Sequence, residues 1–218
     1  MPAEITRIKI CGLRGADAAV AASNAGADFL GFNFVEGVRR QLHPDQGAQI
    51  VAGYKRDRDD SNTPGLVGIF RNQNASWVNE TSASAGLDYV QLCGDEDDDY
   101  IAQMQLPIFR QVRVKQGTIA IELAKIVTPH LEADRIVILD HYSEVSHGGS
   151  GLSFDWAAAE GVANRDRVML AGGLNPENVG SAIAQLSPWG VDVASGVETE
   201  GVKDPDRIRA FISAIQNA

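Results

Sequence analysis

Residues 8–34 read IKICGLRGADAAVAASNAGADFLGFNF. A short apolar run ends at Cys11, Gly12 follows, and an Ala-rich stretch over 16–25 has the composition of a helix. The tetrapeptide Ala25-Gly26-Ala27-Asp28 then supplies a stop, because glycine accepts the left-handed conformation that commonly ends a helix. A second apolar run covers 28–34. This is strand, helix and strand within the span of one βα unit, about 30 residues.

The alternation continues along the chain. Further strands are expected at 66–70, 88–92, 107–114, 135–140, 167–171 and 190–194, which with 6–11 and 28–34 makes eight. Several are near-continuous apolar runs, the pattern of parallel strands buried on both faces. Helices are expected at 44–54, 74–85, 95–104, 118–127, 154–160, 175–185 and 204–217. Pro44 suits a first helical turn, and Asn175-Pro176 and Asp204-Pro205 each read as an N-cap followed by a proline start. Eight such units in 218 residues fit a (β/α)8 TIM barrel, read as one domain over 1–218. An open doubly wound sheet is the alternative, but it usually has fewer strands, and no GxGxxG follows the first one. The polar run KRDRDDSNTP at 55–64 reads as a solvated loop rather than a boundary.

Composition narrows the function. The formal net charge is −10, and the pI is near 4.8. With no basic stripe, nucleic acid and membrane surfaces are poor partners. An anionic ligand would need helix N-termini, backbone N–H groups and single arginines. MPAEITRIKI has no basic segment leading into an apolar one, so no signal peptide is expected. No apolar run approaches the roughly 18 residues of a membrane span. Two cysteines make no disulfide framework, and cytoplasm is the expected compartment. The four histidines and two cysteines lack zinc-ligand spacing, so no metal is expected.

In a barrel of this kind the chemistry sits at the C-terminal ends of the strands. Cys11 ends the first. Arg39 and Arg40 lie in the loop after the second, and Cys93, Gly94, Asp95 and Glu96 follow the fourth. Asp140 ends the sixth, before a loop holding GGSG at 148–151. AGGLNPEN (171–178) follows the seventh and ASGVET (194–199) the eighth. Glycines after the last two strands permit close backbone approach at the usual phosphate position of such barrels; the plainer use of Gly172, Gly173 and Gly196 is to make tight turns.

Asp140 is either a proton donor or acceptor, or half of a buried ion pair; the residues alone leave both open. Lys9 shares a strand face with Cys11. Its ammonium would lower the thiol pKa, and it would also pair with an inward carboxylate such as Asp192. We expect a core lysine that also biases Cys11. Arg40 is a candidate carboxylate clamp through two parallel hydrogen bonds, though a lone loop arginine is more often a solvated charge.

KICGL (9–13), AGADFLGFNF (25–34), VQLCGDE (90–96), ILD (138–140), GGSGLSFDW (148–156), LAGGLNPENV (170–179) and VDVASGVETEGVKDPDRIRAFI (191–212) occur in this order. Together they resemble the phosphoribosylanthranilate isomerases of tryptophan biosynthesis, over nearly the whole chain. The resemblance implies a (β/α)8 barrel without cofactor. It implies an Amadori rearrangement of N-(5-phosphoribosyl)anthranilate to 1-(2-carboxyphenylamino)-1-deoxyribulose 5-phosphate. By the same resemblance Cys11 is the general base and Asp140 the general acid. Arg40, four residues before Pro44, holds the anthranilate carboxylate. The loops after strands six, seven and eight hold the phosphate, through Gly149, Gly172, Gly173, Ser195 and Gly196. The implied partner is a small phosphorylated substrate, taken by a monomer or a homodimer.

Two positions depart from the family pattern. Val38-Arg39-Arg40 stands where Ser-Pro-Arg is usual, so Arg39 competes for the clamp. Cys93 stands where a histidine is common, and is read as a replacement lining the site. Two other readings differ in substrate or class. One is a barrel isomerase for the histidine-pathway aminoaldose, or for both substrates, which Cys11 disfavours because those enzymes resemble a carboxylate pair. The other is a silent barrel that binds a phosphorylated ligand without turnover.

Overall fold

Eight parallel strands close on themselves in chain order, with the first hydrogen-bonded to the eighth. The computed structural model describes residues 6–59, 63–141 and 156–218. The strands are β1 (Arg7–Cys11), β2 (Phe29–Asn33), β3 (Gly65–Phe70), β4 (Tyr89–Leu92), β5 (Ile108–Val114), β6 (Ile136–His141), β7 (Val168–Leu170) and β8 (Gly190–Val193). Between and after them lie α1 (Ala16–Ala25), α2 (Pro44–Asp57), α3 (Ala75–Ala85), α4 (Asp98–Ile101), α5 (Ala120–Glu132), α6 (Val179–Leu186) and α7 (Pro205–Gln216). Each strand lies within one residue of its expected ends.

Local chemistry explains the helix boundaries. Gly26 (φ 105°) closes α1, donating to the Ala22 and Ser23 carbonyls. Asp204 accepts from the Asp206 and Arg207 amides at 2.9 and 3.4 Å, capping α7 ahead of Pro205. Four expectations are corrected. The helix expected from 175 begins at Val179, because the Asn175 side chain accepts from the Glu177 and Asn178 amides and makes a separate turn first. The one expected at 95–104 shrinks to α4, because the backbone amides of Gly94 and Asp95 are taken by the side chains of Glu96 and Asn72. α5 runs on through Pro129 to Glu132, since a proline near a helix end removes only one donor before the helix stops. Within 154–160 the described part is a 3₁₀ turn, Trp156–Ala159. An antiparallel ribbon absent from the sequence reading, β9 (Glu198–Thr199) with β10 (Val202–Lys203), follows β8.

Side chains alternate between the helices and the barrel interior. Facing the helices is a large apolar layer that includes Ile8, Ile10, Leu30, Phe32, Val90 and Leu92. Inside, Phe29, Val67, Phe109, Ile138, Met169 and Ala171 form a second cluster, with Tyr89 against it. Phe29, Tyr89 and Phe109 meet edge to face at 5.2–5.7 Å and plug the N-terminal end. Above them the interior turns polar. Lys9 pairs with Asp192 at mid-height, and Cys11, Gln91, Gln111, Arg113 and Asp140 come next. The base is packed with apolar and aromatic side chains, and the polar groups collect at the end that carries chemistry in this fold.

Candidate active site

Cys11 stands at the top of β1, half-buried, beside Gly31 of β2. A Cβ at Gly31 would sit 3.2 Å from the Cys11 sulfur and 3.1 Å from its Cα. Glycine there gives the thiol its space. The sequence reading missed it, although a glycine inside FLGFN was a signal of close approach.

Lys9, fully buried, donates to Asp192 Oδ1 at 2.9 Å and also interacts with the Cys11 thiol. Burial disfavours its charge, but Asp192 and Cys11 outweigh that and hold the ammonium well above its ordinary pKa. The expected pairing is therefore present. So is the expected bias of Lys9 on Cys11, although it does not set the net shift. Burial pushes the thiol up, and Lys9 and Lys203 oppose it without prevailing. Cys11 thus holds its proton more firmly than an ordinary thiol, with the Lys9 ammonium beside it.

Asp140 lies at the top of β6, half-buried, paired in register with Arg113 of β5. Gln111 Nε2 donates to its Oδ2 at 2.5 Å. The Arg113 guanidinium turns the other way and donates to the Cys93 carbonyl at 2.7 Å. Cys93 receives a weak donor from Gln91 Nε2 at 3.3 Å, and burial pushes its thiol up to about 12. Glu96, in the loop after β4, is structural: it accepts from the Asn72 and Gly94 amides and from Arg110 at 2.6 Å.

Gly12 (φ +78°) lets the stem of Arg40 lie where a Cβ would stand, which brings this loop residue against the top of β1. Its guanidinium is not free. It grips Glu198 through two bonds, at 2.6 Å from Nε and 2.8 Å from the terminal nitrogen. Arg39 reaches the same carboxylate at 2.6 Å and Lys203 at 2.8 Å. Burial raises the Glu198 pKa, but hydrogen bonds from Arg40 and Lys203 dominate and lower it to about 2. Both arginines named by the sequence thus meet one carboxylate that it did not single out. Glu198 and Lys203 stand in SGVETEGVKD, and the ribbon brings them together.

The loops after β7 and β8 touch. Gly172 (φ 83°) and Gly173 (φ 71°) are left-handed, and a Cβ at Gly196 would strike the Leu174 carbonyl oxygen. Among the described residues, the backbone N–H groups of Gly172, Gly173 and Gly196 donate to no backbone carbonyl. Ser195 opens the 3₁₀ turn that carries Gly196, and Arg207 of α7 anchors that turn at the Gly196 carbonyl, 3.1 and 3.2 Å away. Such N–H groups suit an anion. Gly149 lies outside the described residues.

Known proteins match along the whole arrangement. The family described as N-(5′-phosphoribosyl)anthranilate (PRA) isomerase matches residues 8–214. The N-(5′-phosphoribosyl)anthranilate isomerase of Dehalococcoides mccartyi is 40% identical over 215 residues, covering 97% of this chain and 96% of that one. The crystal structure of phosphoribosyl anthranilate isomerase from Thermotoga maritima superposes with a TM-score of 0.82 at 28% identity, over 98% of this chain and 100% of that one. A crystal structure of a phosphoribosyl anthranilate isomerase in complex with reduced 1-(o-carboxyphenylamino)-1-deoxyribulose 5-phosphate gives a TM-score of 0.78 at 28% identity, over 98% of this chain and 100% of that one. On its sequence and its fold, the chain belongs to the N-(5′-phosphoribosyl)anthranilate isomerase family.

Proposed function

We propose that this protein, working as one domain over 1–218 in the cytoplasm, isomerises N-(5-phosphoribosyl)anthranilate to 1-(2-carboxyphenylamino)-1-deoxyribulose 5-phosphate. The observation that carries the reading is the placement of Cys11 and Asp140 at the tops of β1 and β6 of a family barrel.

The phosphate lies on the backbone N–H groups of Gly172, Gly173, Ser195 and Gly196, the residues that the family resemblance assigns to it together with Gly149. Arg40 faces the anthranilate carboxylate, and Glu198 gives up part of its hold when that second carboxylate arrives. Asp140 protonates the furanose ring oxygen. The C1–O bond breaks as the anthranilate nitrogen donates its lone pair, which leaves an iminium at C1. The iminium acidifies C2–H, and Cys11 as thiolate takes that proton. The resulting enolamine gains a proton at C1 and loses the C2 hydroxyl proton to become the ketone.

The step needs a carboxylic acid and a thiolate together, the reverse of their ordinary order of ionisation. Lys9 supplies a fixed positive charge at the sulfur, and the transient iminium supplies a second when the thiolate is needed.

The test is a turnover assay on phosphoribosylanthranilate generated in situ, followed by loss of its anthranilate fluorescence. Cys11→Ala and Asp140→Asn should each cost at least about 10²-fold in kcat, the low end of acid–base contributions. A phosphorylated product analogue should still bind both variants. A Cys11→Ala protein with near-normal kcat would falsify the assignment of the base.

A further inference from the structure

We propose that Gln111 is the positioning residue of Asp140, a partner that satisfies its carboxyl group in both protonation states. This rests on the acid role assigned to Asp140 above.

Gln111 and Asp140 lie on the interior faces of adjacent strands, and the amide meets the carboxyl at 2.5 Å. An acid that gives its proton to a ring oxygen and later recovers one passes through two states with opposite needs. The carboxylate only accepts hydrogen bonds. The neutral acid also donates one through its O–H. A glutamine amide carries a donor and an acceptor on one flat group, and its last torsion has two broad wells related by about 180°. Nε2 faces the carboxyl in this structure, the orientation that serves a carboxylate; turned over, Oε1 accepts from the acid. Asp140 therefore never lacks a partner in a half-buried site, where an unmet polar group is costly.

The charged surroundings fit this division of labour. Arg113 pairs in register with Asp140, and a cation close to it would favour the carboxylate and weaken the acid. Its guanidinium is instead drawn over β4 by the Cys93 carbonyl at 2.7 Å. On the other side, β7 offers apolar Ala171 at the same level. Among the described residues on and beside the other strands, the ionisable groups near this height are Cys11 and Cys93, with the Lys9–Asp192 pair below them and the Lys203–Glu198 pair beside Cys11. The contact that β5 makes with the carboxyl is thus a neutral amide and not a cation.

Two variants and one direct titration test this. Gln111→Met keeps length and volume but removes both hydrogen-bonding functions; kcat should fall about tenfold with KM within about twofold of wild type. Gln111→Glu puts a second carboxyl against the first. Such a pair shares one proton, so the acid form of Asp140 should persist at least about one pH unit higher. That shift is read by carbon NMR of protein labelled with [4-¹³C]aspartate, the Asp140 signal being the one missing in Asp140→Asn. That shift reports contact between the two side chains, and the loss of kcat at nearly unchanged KM in Gln111→Met is the readout that marks positioning. Wild-type kcat in Gln111→Met overturns the proposal, as does an unmoved Asp140 titration in Gln111→Glu; if one variant fails to fold, the other decides. Full turnover in Asp140→Asn would overturn the acid role, and the Gln111 role with it. An inactive Asp140→Asn beside unaffected Gln111 variants would overturn the Gln111 role alone.

Discussion

Two cysteines share the mouth of this barrel, and their surroundings separate them. Cys11 has the Lys9 ammonium against it, while Cys93 has a glutamine amide, and burial carries its thiol to about 12. Thiolate is the reactive form, so alkylation should discriminate between them. We expect iodoacetamide at pH 8 to modify Cys11 well before Cys93, read by peptide mass spectrometry. Because burial also raises Cys11, the midpoint of its alkylation rate should lie above that of an ordinary thiol, and Lys9→Met should move it higher still. Equal rates at the two positions would show that Lys9 does not distinguish them. How much of this was legible in sequence differs by residue. Cys11 and Asp140 could be found because each ends an apolar run. The net direction of the Cys11 shift could not, because Lys9 is visible two residues away whereas burial is contributed by strands distant in the chain.

The strands were legible and the helix ends less so, for a physical reason. An apolar run is a property of its own residues, and a helix start depends on which nearby polar group takes the first amides. Asn175 takes those of Glu177 and Asn178, and the helix waits until Val179. The β9–β10 ribbon was not legible, because two pairs of facing residues leave no periodicity to read. What the elements enclose is graded from base to mouth, and the base has a structural task that the mouth does not share. Phe109 contacts Phe29 and Tyr89 edge to face and has no exposed surface. Phe109→Ala should destabilise the fold by about 3–5 kcal/mol, measured by urea unfolding. The alkylation order of the two cysteines in the folded protein should be unchanged. A loss below about 1 kcal/mol would mean that the base collapses around the missing ring and that the plug is not what keeps the barrel rigid.

Closure of the barrel brings the loop after β2 against the ribbon after β8, and one carboxylate sits at the junction. Arg39 and Arg40 reach Glu198 across 159 and 158 residues of sequence, and Lys203 reaches it from the ribbon itself. The acidic chain, with its net charge of −10, thus concentrates three of its cations on one acid beside the mouth. This has a consequence for pH. The folded pKa of Glu198, about 2, is below the value of about 4.3 expected in the unfolded chain. The unfolded state therefore binds the proton first. The stability contributed by Glu198 is present in full above the unfolded pKa and drains away as pH falls from about 4.3 towards 2. Glu198→Gln removes that dependence and leaves three cations around a neutral amide. At pH 7 the variant should be less stable than wild type by about 1.5–3 kcal/mol, the worth of hydrogen bonds to a charged group. The gap should narrow as the pH is lowered, since protonation costs the wild type what the variant has already lost. Urea midpoints at pH 7, 4 and 3 measure this. A gap that stays constant across that range would mean that Glu198 titrates alike folded and unfolded, and that the three cations do not hold it charged.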